Sequence, residues 1–212
     1  MKIKAVIFDL DGVLTETSEF HYMAWKQLAD EIGVSFDRAK NEKLRGVPRR
    51  KSLEILLDGK KATEEQMISW MEQKNSYYVR LLESLTPGNI LPGALSMLKQ
   101  LKGLNIKTGI ASASKNAPAI IKKLGLDKYI DTLSDGNSVE NQKPSPDIFL
   151  HCAENLGVSA EEAVVVEDAE AGVEAALAGG FKAVGLGPKE RVGKAHKVFE
   201  SLKGLVANDL LF

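Results

Sequence analysis

Short apolar runs alternate with segments of helical spacing along the chain from about residue 91 onward. Together with the run Ala-Val-Ile-Phe at 5–8, the apolar runs predict strands at 106–113, 163–166 and 181–186. The helical spacing predicts helices at 94–101, 117–124, 146–156 and 171–178. Elements of this length in this order are typical of a doubly wound parallel α/β sheet, a Rossmann-like core. In such sheets, sites form at the carboxyl ends of strands, near the point where the strand order reverses.

The stretch between this core and the first strand has an almost entirely helical pattern. Thr63 with Gln66 forms a capping box, which predicts the start of a long helix that continues until Pro87 stops it. An insert directly after the first strand would lie over a site at that strand's end, as a lid. We therefore expect two domains, an α/β core of 1–14 with 88–212 and an all-helical cap of 15–87.

Two aspartates, Asp9 and Asp11, follow the first predicted strand. Because residues two apart in a strand point to the same side, both carboxylates are expected to face one site. Two close carboxylates repel unless a cation lies between them or one of them holds a proton. This pattern suits a carboxylate nucleophile, a metal ligand and an acid/base group. The alternative is a strand followed by an Asp-rich turn, with Gly12 providing the turn.

Two further segments offer partners for an anion. Ser112 lies at the end of a predicted strand, where its hydroxyl and the following backbone N–H groups can bind a phosphate. Serine and asparagine clusters are also ordinary turn and N-cap residues. The two prolines after Lys143 are expected to hold the chain extended and then to start a helix, which would fix the direction of the lysine. In that position the ammonium of Lys143 would neutralise buried negative charge. The alternative is that Lys143 is a solvated lysine in a loop.

A second acidic pair, Glu167 and Asp168, follows the buried run at 163–166. Oxygen ligands from two strand ends suit Mg²⁺, which prefers a few carboxylates with water and phosphate oxygens. Glu170 is expected in the first turn of the next helix, where the helix dipole favours an acidic residue.

The composition excludes several classes of protein. A net charge of −1 argues against general binding to nucleic acid or to a membrane surface. The single cysteine, Cys152, has no disulfide partner and is expected to be a buried small hydrophobic residue. With no signal peptide and no apolar stretch near the ~20 residues of a membrane span, a soluble cytoplasmic protein is expected.

The order and spacing of these four motifs resemble the haloacid dehalogenase superfamily, in its small helical cap class. The resemblance implies that Asp9 is the nucleophile, forming an aspartyl phosphate, and that Asp11 is the general acid/base. The second aspartate favours phosphoryl transfer over dehalogenation. Ser112 and Lys143 would then bind the transferring phosphate. The implied magnesium ligands are Asp9, the backbone carbonyl of Asp11, Glu167 and Asp168.

Several cap residues are also similar to those of the β-phosphoglucomutase family. That family interconverts β-D-glucose 1-phosphate and glucose 6-phosphate through β-glucose 1,6-bisphosphate, so these sugar phosphates are the implied ligands, and a monomer is implied. Arg49 with the segment 114–116 would bind the distal phosphate, since a guanidinium matches phosphate geometry. The residues implied in substrate binding are Thr17, His21, Trp25, Arg45, Gly46, Val47, Arg49, Ser52, Lys74, Ala113, Ser114, Lys115 and Asn116.

The role implied for His21 is to link cap closure to the proton-transfer position of Asp11; the alternative is a helix-surface histidine. The sequence departs from the family pattern at Arg45, where lysine is common, at Pro48 and at the basic pair Arg50 and Lys51. This basic loop indicates either a solvated face or a substrate more anionic than glucose phosphate. Two other functions stay open, a sugar-phosphate phosphatase and a non-catalytic phosphosugar-binding protein. The sequence from residue 189 onward predicts nothing specific.

Overall fold

The computed structural model describes residues 2–212, which form two compact units. One unit comprises the chain up to Glu16 together with Thr86–Phe212, and the other is Thr17–Leu85. The predicted core, 1–14 with 88–212, and the predicted cap, 15–87, differ from these units by two residues at each junction.

A six-stranded sheet forms the centre of the first unit. Every strand pair is parallel, and the strand order is β3-β2-β1-β4-β5-β6. The predicted doubly wound parallel sheet is therefore confirmed. The strands are β1 (Ala5–Phe8), β2 (Lys107–Ala111), β3 (Thr132–Ser134), β4 (Ala163–Glu167), β5 (Lys182–Leu186) and β6 (Lys197–Phe199).

Helices make up the cap unit, and a second set of helices packs against the sheet in the core unit. Those of the cap are α1 (Ser18–Glu31), α2 (Arg38–Glu42), α3 (Arg49–Leu57) and α4 (Glu64–Leu82). Those of the core unit are α5 (Ala94–Gly103), α6 (Ala117–Leu124), α7 (Asp147–Leu156), α8 (Glu170–Ala178), α9 (Lys189–Val192) and α10 (Ala207–Leu210). None of the helices in residues 2–212 is long and apolar enough to cross a membrane.

The strand order reverses between β1 and β4, and this reversal decides where a site can form. From β1 the chain proceeds to β2 and β3 on one side, and then crosses to β4, β5 and β6 on the other. All residues of β1 and β4 are buried, as expected for central strands covered on both faces. Phe8 at the end of β1 pairs with Val166 near the end of β4. The residues that follow these two strands therefore emerge side by side.

The cap unit is built around the packing of α1 against α4. The predicted capping box is present, because Thr63 Oγ1 accepts from the backbone of Gln66 at 3.2 Å and Gln66 Oε1 accepts from the backbone of Thr63 at 2.9 Å. Tyr77 of α4 donates a hydrogen bond to the Glu31 carboxylate at the end of α1, at 2.6 Å. The predicted extent of α4 up to Pro87 is wrong, since the helix ends at Leu82.

Most predicted core elements are present within a few residues, and two strands were missed. Strands β3 and β6 have three residues each, too few for a period to be recognised. Cys152 is buried, as predicted, and burial raises the pKa of its thiol to about 12. The thiol is therefore a packing group rather than a reactive one.

Candidate active site

Three carboxylates meet at the carboxyl ends of β1 and β4. Asp9 follows β1, Glu167 is the last residue of β4, and Asp168 comes next. The backbone N–H of Asp9 donates to the carbonyl of Val166 at 2.9 Å, which extends the contact between the two strands to the site. One oxygen from each carboxylate lies within 4.8 Å of the others, and all three residues are buried. This carboxylate cluster could hold a metal ion.

Lys143 joins the cluster from the loop before α7. Its ammonium donates to Asp9 Oδ1 at 2.6 Å, to Glu167 Oε2 at 2.8 Å and to the carbonyl of Ala111 at 3.2 Å. The side chain is buried, so the alternative of a solvated lysine is wrong. Burial alone would lower the pKa of Lys143, but the carboxylates of Asp9 and Glu167 outweigh it and raise the pKa. The ammonium therefore stays charged.

The segment that carries Lys143 is a turn, and the prediction of an extended segment is wrong. The backbone N–H of Ser145 donates to the carbonyl of Gln142 at 3.0 Å, which closes the turn. Asp147 then begins α7 directly after Pro146, so the prediction that the prolines precede a helix start is confirmed. The turn and the helix start together fix the direction of the lysine.

The charges of the cluster fit a divalent cation. When ionised, the three carboxylates exceed the two neighbouring cations, the Lys143 ammonium and the Arg191 guanidinium 4.0 Å from Asp168 Oδ2, by one negative charge. Burial and the neighbouring Asp9 raise the pKa of Glu167, although Lys143 opposes this shift. Buried like charges are held at a cost in free energy, which a divalent cation with a preference for oxygen ligands would relieve.

Asp11 lies near the cluster but in a different environment. Its carboxylate is not one of the three oxygen donors grouped within 4.8 Å, and its Oδ1 is buried without a hydrogen-bond partner in the described residues. Burial first, and then the charges of Asp9 and Asp168, raise the pKa of Asp11 well above its usual value. A carboxyl group in this environment binds a proton more readily than an exposed carboxyl group does.

The prediction that alternation within a strand positions Asp11 is wrong. Strand β1 ends at Phe8, and Asp11 belongs to a tight turn in which the N–H of Gly12 donates to the carbonyl of Thr15 at 2.8 Å. Gly12 has a φ of +85°, a conformation that favours glycine. A Cβ on Gly12 would lie 2.3 Å from Asp168 Oδ2, so this glycine also allows the turn to approach the cluster.

A second glycine shapes the cluster from the other side, and the sequence reasoning missed it. A Cβ on Gly172, in the first turns of α8, would lie 2.1 Å from the carboxyl carbon of Glu167. Glu167 Oε1 also accepts from the N–H of Ala169 at 3.1 Å. The start of α8 therefore packs directly on this carboxylate, and Glu170 lies in the first turn as predicted. A small residue one turn after an acidic pair is the sequence signal for this packing.

The predicted phosphate-binding segment follows β2 at the same edge of the sheet. Ser112 is buried, and its backbone N–H donates to the carbonyl of Ser134 at 3.0 Å. Its hydroxyl accepts from the N–H of Ser114 at 3.2 Å, and the Ser114 hydroxyl accepts from the N–H of Asn116 at 3.3 Å. These are the turn contacts expected of such residues, and phosphate binding by Ser112 stays a prediction. Ala113 and Lys115 complete the segment, which leads into α6.

The cap unit contains a cluster of its own, formed by α1 and α4. The ammonium of Lys74 lies 2.7 Å from Nδ1 of His21 and 4.8 Å from the ring centre of Trp25. The His21 ring stacks on Tyr78 with ring centres 4.0 Å apart, so it is not a solvated helix-surface histidine. Burial, then the charges of Lys74 and Arg49, lower the pKa of His21 well below its usual value. His21 is therefore neutral at pH 7.

The other predicted cap residues lie on α3, on the loop before it or at the start of α1. Arg49 begins α3, and its guanidinium donates to the side-chain carbonyl of Asn75 at 2.8 Å. Thr17 is buried at the start of α1, where its hydroxyl accepts from Tyr78 at 3.3 Å. The hydroxyl of Ser52 donates to the carbonyl of Val47 at 3.2 Å. Gly46, the residue before Val47, has a φ of +70°.

Four basic residues on and around the loop before α3 contact acidic neighbours. Arg50 contacts Glu64 at 2.5 Å, and Lys51 contacts Glu54 at 3.2 Å. Lys40 contacts Asp58 at 2.9 Å, and Arg45 contacts Glu42 at 3.4 Å. The side chains of Arg50 and Lys51 are 51% and 64% exposed. These contacts favour the interpretation of the basic run as a solvated face.

The fold and the cluster together define an α/β protein with an acidic, metal-competent site at the switch point of its sheet. The model of the haloacid dehalogenase-like hydrolase family matches residues 3–180. The chain belongs to this family, and the resemblance inferred from the four motifs is confirmed.

Relatives make the comparison more specific. A β-phosphoglucomutase of Bacillus subtilis is 46% identical over 189 residues, covering 87% of this chain and 84% of that protein. A crystal structure of a β-phosphoglucomutase from Clostridium difficile superimposes with a TM-score of 0.92 at 40% identity, covering 96% of this chain and 93% of that one. A phosphorylated carbohydrates phosphatase of Thermotoga maritima is 32% identical over 86% of this chain and 84% of its own length. The predicted resemblance to β-phosphoglucomutases is thereby confirmed.

Proposed function

We propose that this protein is a phosphomutase that interconverts β-D-glucose 1-phosphate and glucose 6-phosphate through β-glucose 1,6-bisphosphate. The observation that carries the proposal is the contrast between two neighbouring carboxyl groups. Asp9 accepts a hydrogen bond from the Lys143 ammonium at 2.6 Å, while the pKa of Asp11 is raised well above its usual value. Neighbouring carboxyl groups whose environments differ in this way are suited to act as nucleophile and acid.

The chemistry assigned to the two aspartates is a double displacement. The oxygen of Asp9 outside the ion pair attacks the phosphorus, the bond from phosphorus to the sugar oxygen breaks, and Asp11 gives its proton to that oxygen. In the second half, a sugar hydroxyl attacks the aspartyl phosphate, the bond from phosphorus to Asp9 breaks, and Asp11 takes the hydroxyl proton. Each half uses Asp11 in the opposite direction, so the enzyme returns to its starting state.

The residues around Asp9 suit the charge of a phosphoryl group. Lys143 is buried with its ammonium directed at Asp9, where it would offset the charge of an attached phosphate. We assign Mg²⁺ to the carboxylate cluster of Asp9, Glu167 and Asp168, with the backbone carbonyl of Asp11 as a further ligand. When bound, Mg²⁺ supplies charge neutralisation for the phosphoryl oxygens. The hydroxyl of Ser112 is proposed as a further phosphate ligand.

The cap residues support a mutase rather than a phosphatase. A bisphosphate carries a second phosphate, and the cap brings two cationic side chains, Lys74 and Arg49, close to the His21 ring. A guanidinium and an ammonium together suit an anionic sugar phosphate. We propose that Arg49, with Ser114, Lys115 and Asn116, binds the distal phosphate. The Bacillus subtilis relative and the Clostridium difficile structure are both β-phosphoglucomutases.

One assay separates the mutase from the two alternatives. Purified protein is given β-glucose 1-phosphate, Mg²⁺ and a trace of glucose 1,6-bisphosphate, and glucose 6-phosphate and free phosphate are followed together. Fast formation of glucose 6-phosphate with little free phosphate is expected. Dominant phosphate release would mean that water is the acceptor and the protein is a sugar-phosphate phosphatase. Binding of the sugar phosphate without turnover would identify a non-catalytic binding protein.

The nucleophile is tested with Asp9→Asn, which keeps the shape of the side chain and removes its charge. Turnover should be lost while the circular dichroism spectrum is unchanged, because the substitution removes the attacking oxygen anion. The matched control is Asp30→Asn, an exposed aspartate of the cap, which should retain full activity. Substantial turnover by Asp9→Asn would refute the aspartyl-phosphate mechanism.

A monomer in the cytoplasm is the state expected for such an enzyme. Light scattering on a sizing column tests whether the protein is a monomer.

A further inference from the structure

A cationic side chain contacts the carboxylate cluster from a part of the chain where the sequence predicted nothing. Arg191 lies in α9, the short helix that follows β5. Its Nε donates to the backbone carbonyl of Asp168 at 2.7 Å. Its Nη2 lies 4.0 Å from Oδ2 of the same residue. One guanidinium therefore contacts both the backbone and the carboxylate of Asp168.

The local backbone is shaped to admit this side chain. Gly187, between β5 and α9, has a φ of +121°, and a Cβ on it would lie 2.6 Å from Nη2 of Arg191. Val192 is fully buried, and a Cβ on Gly185 would lie 2.7 Å from the Val192 Cβ. The glycine before α9 leaves room for the guanidinium, and the valine after the arginine anchors the helix to β5. The contact with Asp168 is therefore built into the strand-to-helix connection.

We propose that Arg191 is a positioning residue for the metal ligand Asp168. This inference rests on the proposed magnesium site. The hydrogen bond from the guanidinium fixes the peptide of Asp168, and with it the direction of the carboxylate towards the cluster. Groups that orient a metal ligand in this way typically account for 10–100-fold in metal affinity. Arg191 itself touches neither the substrate nor the reacting atoms.

Arg191 has two opposite effects on a cation, and the geometry indicates which is larger. Its positive charge near Asp168 repels a metal ion, whereas its hydrogen bond orders a ligand for that ion. The Arg191 Nη2 lies 4.0 Å from the carboxylate oxygen, so its charge acts over a longer distance than its hydrogen bond does. The hydrogen bond at 2.7 Å is short and involves a charged donor, which makes it one of the stronger kinds. Loss of Arg191 should therefore weaken metal binding.

The test measures Mg²⁺ binding by titration calorimetry on the full chain, without substrate. Arg191→Met keeps the unbranched stem and removes charge and donors, while Arg191→Lys keeps the charge but lacks the fixed Nε donor. Lys194→Met is the matched control, because Lys194 is a neighbouring cation that contacts Glu170 and Glu174 instead of Asp168. We expect the Mg²⁺ dissociation constant to rise about tenfold in both Arg191 variants and to stay unchanged in the Lys194 variant.

A kinetic measurement separates positioning from a merely structural role. The Mg²⁺ concentration for half-maximal turnover should rise in both Arg191 variants, with kcat nearly unchanged at saturating Mg²⁺. Wild-type affinity in Arg191→Met would overturn the inference and leave the proposed function intact. Wild-type affinity in Arg191→Lys alone would also overturn it, since charge rather than the hydrogen bond would then be responsible. Absence of Mg²⁺ binding by the unmodified protein would overturn the magnesium site and this inference together.

Discussion

Two lysines in the core unit make the same kind of contact in opposite environments. Lys143 bridges Asp9 and Glu167 with its side chain 1% exposed, and Lys194 bridges Glu170 and Glu174 with its side chain 55% exposed. Exposed ion pairs contribute little to stability because water solvates the separated charges well. Removing one partner of a buried pair leaves the other charge uncompensated, which is strongly destabilising. Burial, rather than the number of contacts, therefore decides the effect of each lysine.

We predict that Lys143→Met lowers the free energy of unfolding by about 3–5 kcal/mol at pH 7 without Mg²⁺. The substitution leaves the carboxylates of Asp9 and Glu167 buried without their ammonium. Lys194→Met is the control and should leave the free energy of unfolding nearly unchanged, because water solvates its exposed ion pairs. Urea unfolding followed by circular dichroism measures both values. Equal effects of the two substitutions would contradict the argument from burial.

His21 gives the cap a pH-dependent contribution to stability. Burial and the cations Lys74 and Arg49 hold its pKa below 6.5, so the native state binds this proton less readily than the unfolded state. At a pH above the pKa of His21 in the unfolded chain, the ring is neutral in both the native and the unfolded state. Its titration then contributes nothing to the free energy of unfolding. As the pH falls below about 6.5, the unfolded state gains a proton that the native state does not, and stability decreases.

We therefore expect the free energy of unfolding to fall between pH 7.5 and pH 5.5, and to fall less in His21→Asn than in the unmodified protein. The comparison uses the change with pH in each protein, because the substitution also removes the contact with Lys74. An NMR titration of the His21 ring should show a midpoint below 6.5. A midpoint above that value would contradict the assignment of a neutral His21.

At the scale of single residues, the sequence predicted groups that follow strands and missed groups that approach from elsewhere. Asp9, Glu167 and Asp168 come directly after apolar runs, so their place at the sheet edge follows from chain order. Gly172 and Arg191 act on those carboxylates through packing that depends on the three-dimensional path of the chain. No local pattern distinguishes Arg191 from an ordinary exposed arginine.

Secondary-structure elements were predictable where the pattern is long enough to have a period. The helix predicted at 117–124 is present as α6 with the same bounds, because its apolar face and its flanking residues agree. The three-residue strands β3 and β6 carry no such pattern, since their pairing with β2 and β5 is what makes them strands. The turn at Lys143 was predicted as extended, because proline restricts φ without deciding how the chain closes on itself.

One of these missed elements supports the predicted phosphate-binding segment. The loop after β3 passes so close to the segment after β2 that a Cβ on Gly136 would lie 2.4 Å from the carbonyl oxygen of Ala113. A backbone atom cannot move away as a flexible side chain can, so a larger residue would displace the segment that contains Ser112. The position of this segment thus depends on a glycine in a neighbouring loop.

We predict that Gly136→Ala lowers kcat/KM on the order of 100-fold, since displacement of a substrate-contacting segment by about 1 Å has effects of this size. Gly109→Ala is the matched control, because its Cβ would meet the Cys152 sulfur at 2.5 Å, in the packing of β2 against α7. That variant should lose about 1–3 kcal/mol of stability through overpacking, with little change in kcat/KM. Steady-state kinetics and urea unfolding of both variants measure the two effects. Similar kinetics for both would show that the loop after β3 does not set the position of Ser112.

At the scale of the whole molecule, the order of the elements along the chain predicted the class of fold. Alternating apolar runs and helical segments suffice to predict a doubly wound sheet. Parallel strands place their carboxyl ends at one edge, where Asp9, Ser112 and Glu167 lie. The same order brings residues far apart in the chain, such as Asp9 and Lys143, into direct contact. The excess negative charge that results is a property of the assembled core and not of any one segment.

This excess charge predicts a stability that depends on divalent cations. If Mg²⁺ binds the native cluster and not the unfolded chain, it stabilises by about 2.7 kcal/mol at 100 times its dissociation constant. For a chain of this size the melting temperature should then rise by about 5–10 °C, and EDTA should reverse the rise. Asp168→Asn removes one carboxylate of the cluster and should abolish most of the shift, while Asp30→Asn, outside the cluster, should retain it. A rise of the same size with KCl at equal ionic strength would contradict specific binding, because screening of surface charge would then explain it.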